Sequence, residues 1–178
     1  MAVLPVLTYP DPRLKAVSAP VERFDEALRA FVADLEETMR AQPGGVGIAA
    51  PQVGRRQRIC IVDVSAREGV ESHGRLVLVN PEILAWEGLE VGREGCMSVP
   101  DYTGNVVRAA AIRVRFLDEH GAAHEIESRG YEARAIQHEI DHLDGLLFLD
   151  RLVSRRNDLF RRKVYAPPPR RRAEGGGG

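Results

Sequence analysis

Two histidines four residues apart, His138 and His142, carry Glu139 between them in the stretch Gln137-His138-Glu139-Ile140-Asp141-His142. On a helix, positions i and i+4 share one face about one turn apart, so both imidazoles can reach a single ion. Glu139 directly follows the first histidine and cannot readily join the same tetrahedral shell. It can lie beside a metal-bound water as a base, the arrangement by which H-E-x-x-H helices support hydrolysis. The bare pattern also fits an amphipathic helix whose His and Glu face solvent, so the rest of the chain has to decide. A third donor is required, and Cys96 in Glu94-Gly95-Cys96-Met97-Ser98 is the candidate. Alone it reads as a small buried hydrophobe. With two histidines it gives a three-ligand set that leaves the fourth tetrahedral position open, as catalytic sites do.

The elements that must position these groups follow from periodicity. Leu28, Phe31, Val32, Leu35 and Met39 recur at helical spacing within Phe24 to Gln42, with Asp25 as a cap and Pro43-Gly44-Gly45 as a stop. Arg58 to Val64 reads as a buried strand with Cys60 as core filler, and Ala66 to Arg75 as a polar loop. A second strand runs from Leu76 and closes at Asn80-Pro81. Ile83 to Gly92 continues the sheet, with Trp86 as a large packing residue. Ala111 to Leu117 and Ala122 to Ser128 form a hairpin about Asp118-Glu119-His120-Gly121. The metal helix starts near Ser128 or Gly130 and ends at Gly145, with Ile136, Ile140 and Leu143 on a stripe distinct from the histidines. A short basic helix is predicted over about Ser154 to Lys163. His73, His120 and His124 are expected on the surface without chemistry.

Gly44 to Gln52 is glycine-rich, but it lacks G-x-x-x-x-G-K-[ST] and is not a nucleotide loop. It suits a wall against which an extended ligand lies close to backbone.

Bulk properties fit one folded domain. The chain has 178 residues, 44% apolar and 29% charged. It contains no run of about 18 apolar residues, and its first residues lack the pattern of a secretory signal. Two cysteines are too few for a disulfide framework, so a cytoplasmic location is expected, with no membrane or DNA partner. Arg151 to Arg172 holds nine Lys/Arg against Asp158 alone, a net +8 that leaves −9 for the remainder of a chain totalling −1. Such a basic end suggests an anionic partner.

Three separated segments resemble the bacterial peptide deformylases: Gly45-Val46-Gly47-Ile48-Ala49-Ala50-Pro51-Gln52, Glu94-Gly95-Cys96-Met97-Ser98 and Gln137-His138-Glu139-Ile140-Asp141-His142. Their order and spacing agree over about Val3 to Phe160. The resemblance implies an α+β fold, with mixed or antiparallel sheets packed around a central metal-binding helix. The expected organisation is a catalytic domain over 1–165 and a disordered basic, glycine-rich tail over 166–178.

It further implies a metal-dependent enzyme that removes the formyl group from the formyl-methionine of new polypeptides and releases formate. Cys96, His138 and His142 would hold one divalent ion, expected to be Fe2+, with Ni2+, Co2+ or Zn2+ able to substitute. Glu139 would be the base. The Gln52 side-chain amide and the Met97 backbone N–H would be oxyanion donors. Extended substrate would pair with backbone near Gly47, and Val46, Tyr131, Arg134 and Ala135 would line the methionine pocket. Glu94 and Arg108 would brace the Cys96 loop.

Thr103 and Val107 depart from residues common in the family. The partners implied are nascent formyl-Met chains and, through Arg155, Arg156, Arg161, Arg162 and Lys163, ribosomal RNA. The competing reading is an H-E-x-x-H metallopeptidase, which would need a further ligand after the helix.

Overall fold

The computed structural model describes residues 1–162. Eight elements organise it: α1 (Glu26–Arg40), β1 (Gly47–Ala49), β2 (Ile59–Val62), β3 (Leu76–Cys96), β4 (Val99–Leu117), β5 (Ala123–Arg129), α2 (Gly130–Leu143) and β6 (Leu159–Arg161). The strands form one antiparallel sheet in the order β1-β2-β3-β4-β5, with β6 added against β4.

Why β2 is a continuous apolar run is plain from its two neighbours. Side chains alternate between the faces of a strand. Ile59 and Ile61 meet the α1 side with Leu28, Val32, Leu35 and Met39. Cys60 and Val62 meet α2 at Ile136, Ile140 and Leu143. Both faces are covered, so no polar residue is tolerated. Fully burying each such side chain contributes roughly 1.5–3 kcal/mol. The same parity governs β1: Ile48 joins the α1 core and Ala49 the α2 core. Gly47 therefore faces α2.

The caps are local. Asp25 accepts the Leu28 N–H at 3.0 Å and starts α1. At the far end of α2, the N–H groups of Gly145 and Leu146 bond the carbonyls of His142 and Asp141, which closes the last turn beneath His142. Gly145 has φ of +74°, and a Cβ there would sit 2.4 Å from the Lys15 carbonyl oxygen, so only glycine fits.

Four expectations are corrected. Asn80-Pro81 does not end a strand: β3 runs through it with a register shift between Val79 and Glu82. Asn80 takes φ of +51° and its amide bonds both the N–H and the carbonyl of Val21, so the break becomes a tied bend. Trp86 is 64% exposed, because β2 ends opposite Val79 and, among the described residues, no strand pairs with that side of the β3–β4 arm. The basic helix over Ser154 to Lys163 does not form. Turns lead instead to β6, whose residues pair with Tyr102–Gly104. His73, though exposed, is not idle, since its ring and backbone N–H both meet the buried carboxylate of Glu132. The predicted tail over 166–178 and Lys163 lie outside the described residues.

Candidate metal centre and active-site cleft

α2 presents His138 and His142 on one face, their rings 5.1 Å apart. Cys96 arrives from the end of β3, where the turn to β4 lodges it among Leu14, Val99, Leu147 and Phe148. Its Sγ lies 3.3 Å from His142 Nε2. One ligand atom from each of Cys96, His138 and His142 lies within 4.8 Å of the others, and all three residues are buried. Zn–N and Zn–S bonds of about 2.0–2.3 Å in a tetrahedron place ligands roughly 3.3–3.8 Å apart, so the donor set fits a divalent ion with little movement. The third donor precedes the helix in sequence, unlike the later ligand a metallopeptidase of this pattern would need.

The supporting charges are placed with the same economy. Glu94 is 7% exposed and its two oxygens accept four hydrogen bonds. Oε1 takes Arg108 Nη2 at 2.9 Å and His138 Nδ1 at 2.8 Å. Oε2 takes Arg108 Nε at 2.9 Å and Arg134 Nη1 at 2.7 Å. Burial alone would raise the Glu94 carboxyl, but His138 and Arg108 together hold it well below the ordinary carboxylate range. Fixing His138 through Nδ1 turns Nε2 towards the centre, the usual job of a carboxylate behind a metal-binding histidine. The Glu94–Arg108 pair, which an exposed location would make nearly worthless, is buried here.

Arg134 also bonds the Val106 and Glu90 carbonyls, so it braces the β3–β4 arm as well as lining the cleft. Asp141 extends the network to Arg108 at 2.5 Å and to Arg151 at 3.0 Å. Gln137 clamps α2 to β4 through the N–H and carbonyl of Ala109. Sequence reasoning assigned no role to Asp141, Gln137 or Arg151. Asp141 and Gln137 stand inside the His-rich motif, and that was the only available signal.

The protonation preferences oppose one another across the helix. Desolvation, with His138 and Arg108 nearby, pushes His142 well below the ordinary imidazole value, so it stays neutral and able to coordinate. Desolvation opposes charge on His138 too, but Cys96 and Glu94 outweigh it and raise that ring well above its usual value. Burial lifts the Glu139 carboxyl to about 7. Glu139 Oε2 and His142 Nδ1 are buried without a hydrogen-bond partner among the described residues.

A cleft of about 250 Å³ opens over this centre. Val46, Gly47, Gln52, Glu94, Cys96 and Met97 line it from the β1 and β3 sides, and Tyr131, Arg134, Ala135, His138 and Glu139 from α2. His142 and Arg108 sit behind its wall. Gln52 is held in place because Oε1 accepts the Ala49 N–H at 2.9 Å. Its Nε2 donates to Ser98 Oγ at 3.1 Å and approaches Cys96 Sγ at 3.5 Å. Gly47 is an edge-strand residue facing Glu139: a Cβ there would lie 2.7 Å from Glu139 Oε1.

A sheet wrapped on a helix that gathers Cys, His and His beside a buried carboxylate with one oxygen free of hydrogen bonds among the described residues defines a metal-dependent hydrolase. The sequence model of the polypeptide deformylase family matches residues 3–158, and the chain belongs to that family. Peptide deformylase of Alkalilimnicola ehrlichii is 48% identical over 164 residues, covering 92% of this chain and 90% of that one. Among solved structures, peptide deformylase from Ehrlichia chaffeensis in complex with actinonin aligns with TM-score 0.81 and 41% identity, covering 88% of this chain and 92% of that one. The Thermotoga maritima peptide deformylase aligns with TM-score 0.80 and 37% identity, covering 86% and 100%.

Proposed function

We propose that Glu139, Gln52 and the Met97 backbone carry out the family's reaction, removal of the formyl group from an N-terminal formyl-methionine. The observation that supports this most is the buried Glu139 carboxyl group in the cleft lining, its Oε2 without a hydrogen bond among the described residues, beside three converging donor atoms. Cys96, His138 and His142 would hold a divalent ion, which would supply Lewis-acid polarisation and lower the pKa of water from about 15.7 towards about 7. Glu139 takes the proton of the attacking water and delivers it to the departing amine. The Gln52 Nε2–H and Met97 N–H donate to the oxygen that gains charge, each worth about 2.7–4 kcal/mol of barrier stabilisation. Met97 needs only its backbone for this, so any residue but proline could serve there.

Substrate lies extended along Gly47, since β1 is an edge strand with one side unpaired by β2. Val46, Tyr131, Ala135 and the stem of Arg134 receive the methionine side chain. We assign ferrous iron to the centre on the family resemblance; the His2Cys donor set also accommodates zinc, cobalt and nickel. We place the reaction in the cytoplasm, where formylated chains are made; no helix among the described residues is long and apolar enough to cross a membrane.

The deciding experiment incubates anaerobically purified protein with formyl-Met-Ala peptide and measures formate alongside metal content. Formate release by protein carrying about one ion per chain supports the assignment. Cleavage of the peptide bond without formate would overturn it.

The Gly47 contact gives a second test. Gly47→Ala drives a methyl group into the Glu139 carboxylate, and a displaced base costs about 10–100-fold in kcat/KM. Bound metal should not change, because Gly47 donates nothing to the ion. Undiminished turnover in this variant would show that Glu139 does not need its observed position.

Ribosome contact we retain as a proposal for Arg155 and Arg156, both exposed beyond the core. Co-sedimentation of an Arg155→Glu/Arg156→Glu variant with ribosomes checks it. Wild-type binding that is insensitive both to these changes and to salt removes the idea.

A further inference from the structure

We propose that Arg162 and Arg93 form a carboxylate-binding subsite at the outer end of the cleft. It would favour formylated peptides that carry an acidic side chain, or a free carboxyl terminus, shortly after the methionine. This rests on the deformylase reading of the site.

The first support is where Arg162 comes from. It follows β6, beyond residue 158 where the family match ends. Its backbone is fixed, because β6 pairs with Tyr102–Gly104 and the Arg162 N–H donates to the Asp101 carbonyl at 2.8 Å. The side chain then turns back over the metal-ligand loop. Its Nη2 lies 2.6 Å from the point a Cβ on Gly95 would occupy. Arg162 thus lines the same cleft as Cys96, His138 and Glu139.

Arg93 stands next to it in that lining. Its guanidinium stacks on the Phe160 ring at 3.9 Å and donates to Asn105 Oδ1 at 3.1 Å and Thr103 Oγ1 at 3.3 Å. All three partners are neutral, so they orient the charge without cancelling it. A preorganised guanidinium loses less freedom when it takes a carboxylate.

The contrast with the other cleft arginine is informative. Arg134 is neutralised by Glu94. Among the described residues neither Arg93 nor Arg162 makes an ion pair. A second hollow, lined by Arg93, Thr103, Leu159, Phe160, Arg161 and Arg162, shares both arginines with the first. A peptide whose formyl group is at the metal centre can therefore run past two uncompensated guanidinium groups. Carboxylate is the planar anion that such forks match.

The test compares formyl-Met-Ala-Asp-amide, formyl-Met-Ala-Asn-amide and formyl-Met-Ala-Asn free acid. Formate release gives kcat and KM, and fluorescence anisotropy of dye-labelled versions gives Kd. Wild-type protein should favour the Asp-amide over the Asn-amide by about three- to fivefold, chiefly in KM, the scale of a partly exposed ion pair. That ratio should shrink as salt rises. Arg162→Gln or Arg93→Gln should reduce it towards unity, and Arg162→Lys should keep part of it.

Preference for the Asp-amide points to side-chain acids, and preference for the free acid points to the chain end; either supports the subsite. Equal handling of all three by wild-type protein overturns it. So does a ratio that survives both glutamine substitutions. Formate released equally from every peptide sinks this inference alone. Formate from none sinks the underlying assignment of the reaction, and anisotropy still decides whether carboxylates are preferred.

Discussion

Replacing Glu139 with glutamine is expected to lower kcat for formate release by roughly 10²–10⁴-fold, the range over which a positioned general base contributes. The substitution keeps the shape of the side chain and removes its ability to accept a proton. That matters for a side chain only 5% exposed, with no room on the Gly47 side for even a methyl group. Glu139 Oε2 has no hydrogen-bond partner among the described residues, so the amide breaks no hydrogen bond seen at that atom. Nor does Glu139 belong to the converging donor set, which is Cys96, His138 and His142. Metal content and thermal stability should therefore stay close to wild type while single-turnover formate release collapses. That separation is the diagnostic feature. A variant that keeps its ion and its full rate would move the proton transfer to another group and leave Glu139 as filler. Loss of the ion together with activity would place the carboxylate among the ligands.

The reason Glu139 was legible in sequence is that its relation to His138 and His142 is local. Spacing along one helix fixes which groups share a face, and no tertiary information is needed. Asp25 as a cap and the hairpin about Asp118 to Gly121 were readable for the same reason. Cys96 is readable only as a complement to the two histidines, because 42 residues separate it from His138 and nothing in its own neighbourhood demands a ligand. Where local cues competed with distant partners, they misled. Asn80-Pro81 carries every mark of a strand end, yet Val21 bonds the asparagine amide and the strand continues. The arginine-rich stretch after Ser154 has helix-compatible composition. It becomes β6 because the backbone of Tyr102–Gly104 is available to pair with it. Trp86 reads as a packing residue because tryptophan is large and apolar, but its strand outruns the layer it would pack against. The Asp141–Arg108–Arg151 ties join α2, β4 and the segment after α2, and no periodicity encodes such a network.

Truncating Glu94 to alanine should destabilise the fold by about 3–5 kcal/mol, the usual cost of removing one partner from a buried ion-pair network. Against a total stability of roughly 5–15 kcal/mol, that is a large fraction. The cost arises because Arg108, 4% exposed, and Arg134, 9% exposed, lose a carboxylate they cannot replace with water. Arg108 retains Asp141, and Arg134 retains two carbonyls, so the damage should stop short of complete unfolding. A separate consequence falls on the ion. His138 loses the acceptor that fixes its ring, and loss of such a partner typically weakens metal affinity by about 10–100-fold. Urea unfolding of wild type and Glu94→Ala, each with and without a chelator, separates the two effects. A bound ion stabilises the native state by RT ln(1 + L/Kd) at free-ion concentration L, an amount larger for the tighter site, so chelation should cost the wild type more than the variant. A destabilisation that persists in chelator belongs to the arginines. One that vanishes would mean that Glu94 acts on stability through the metal centre alone, and that its four hydrogen bonds merely offset the cost of burying the charges that make them.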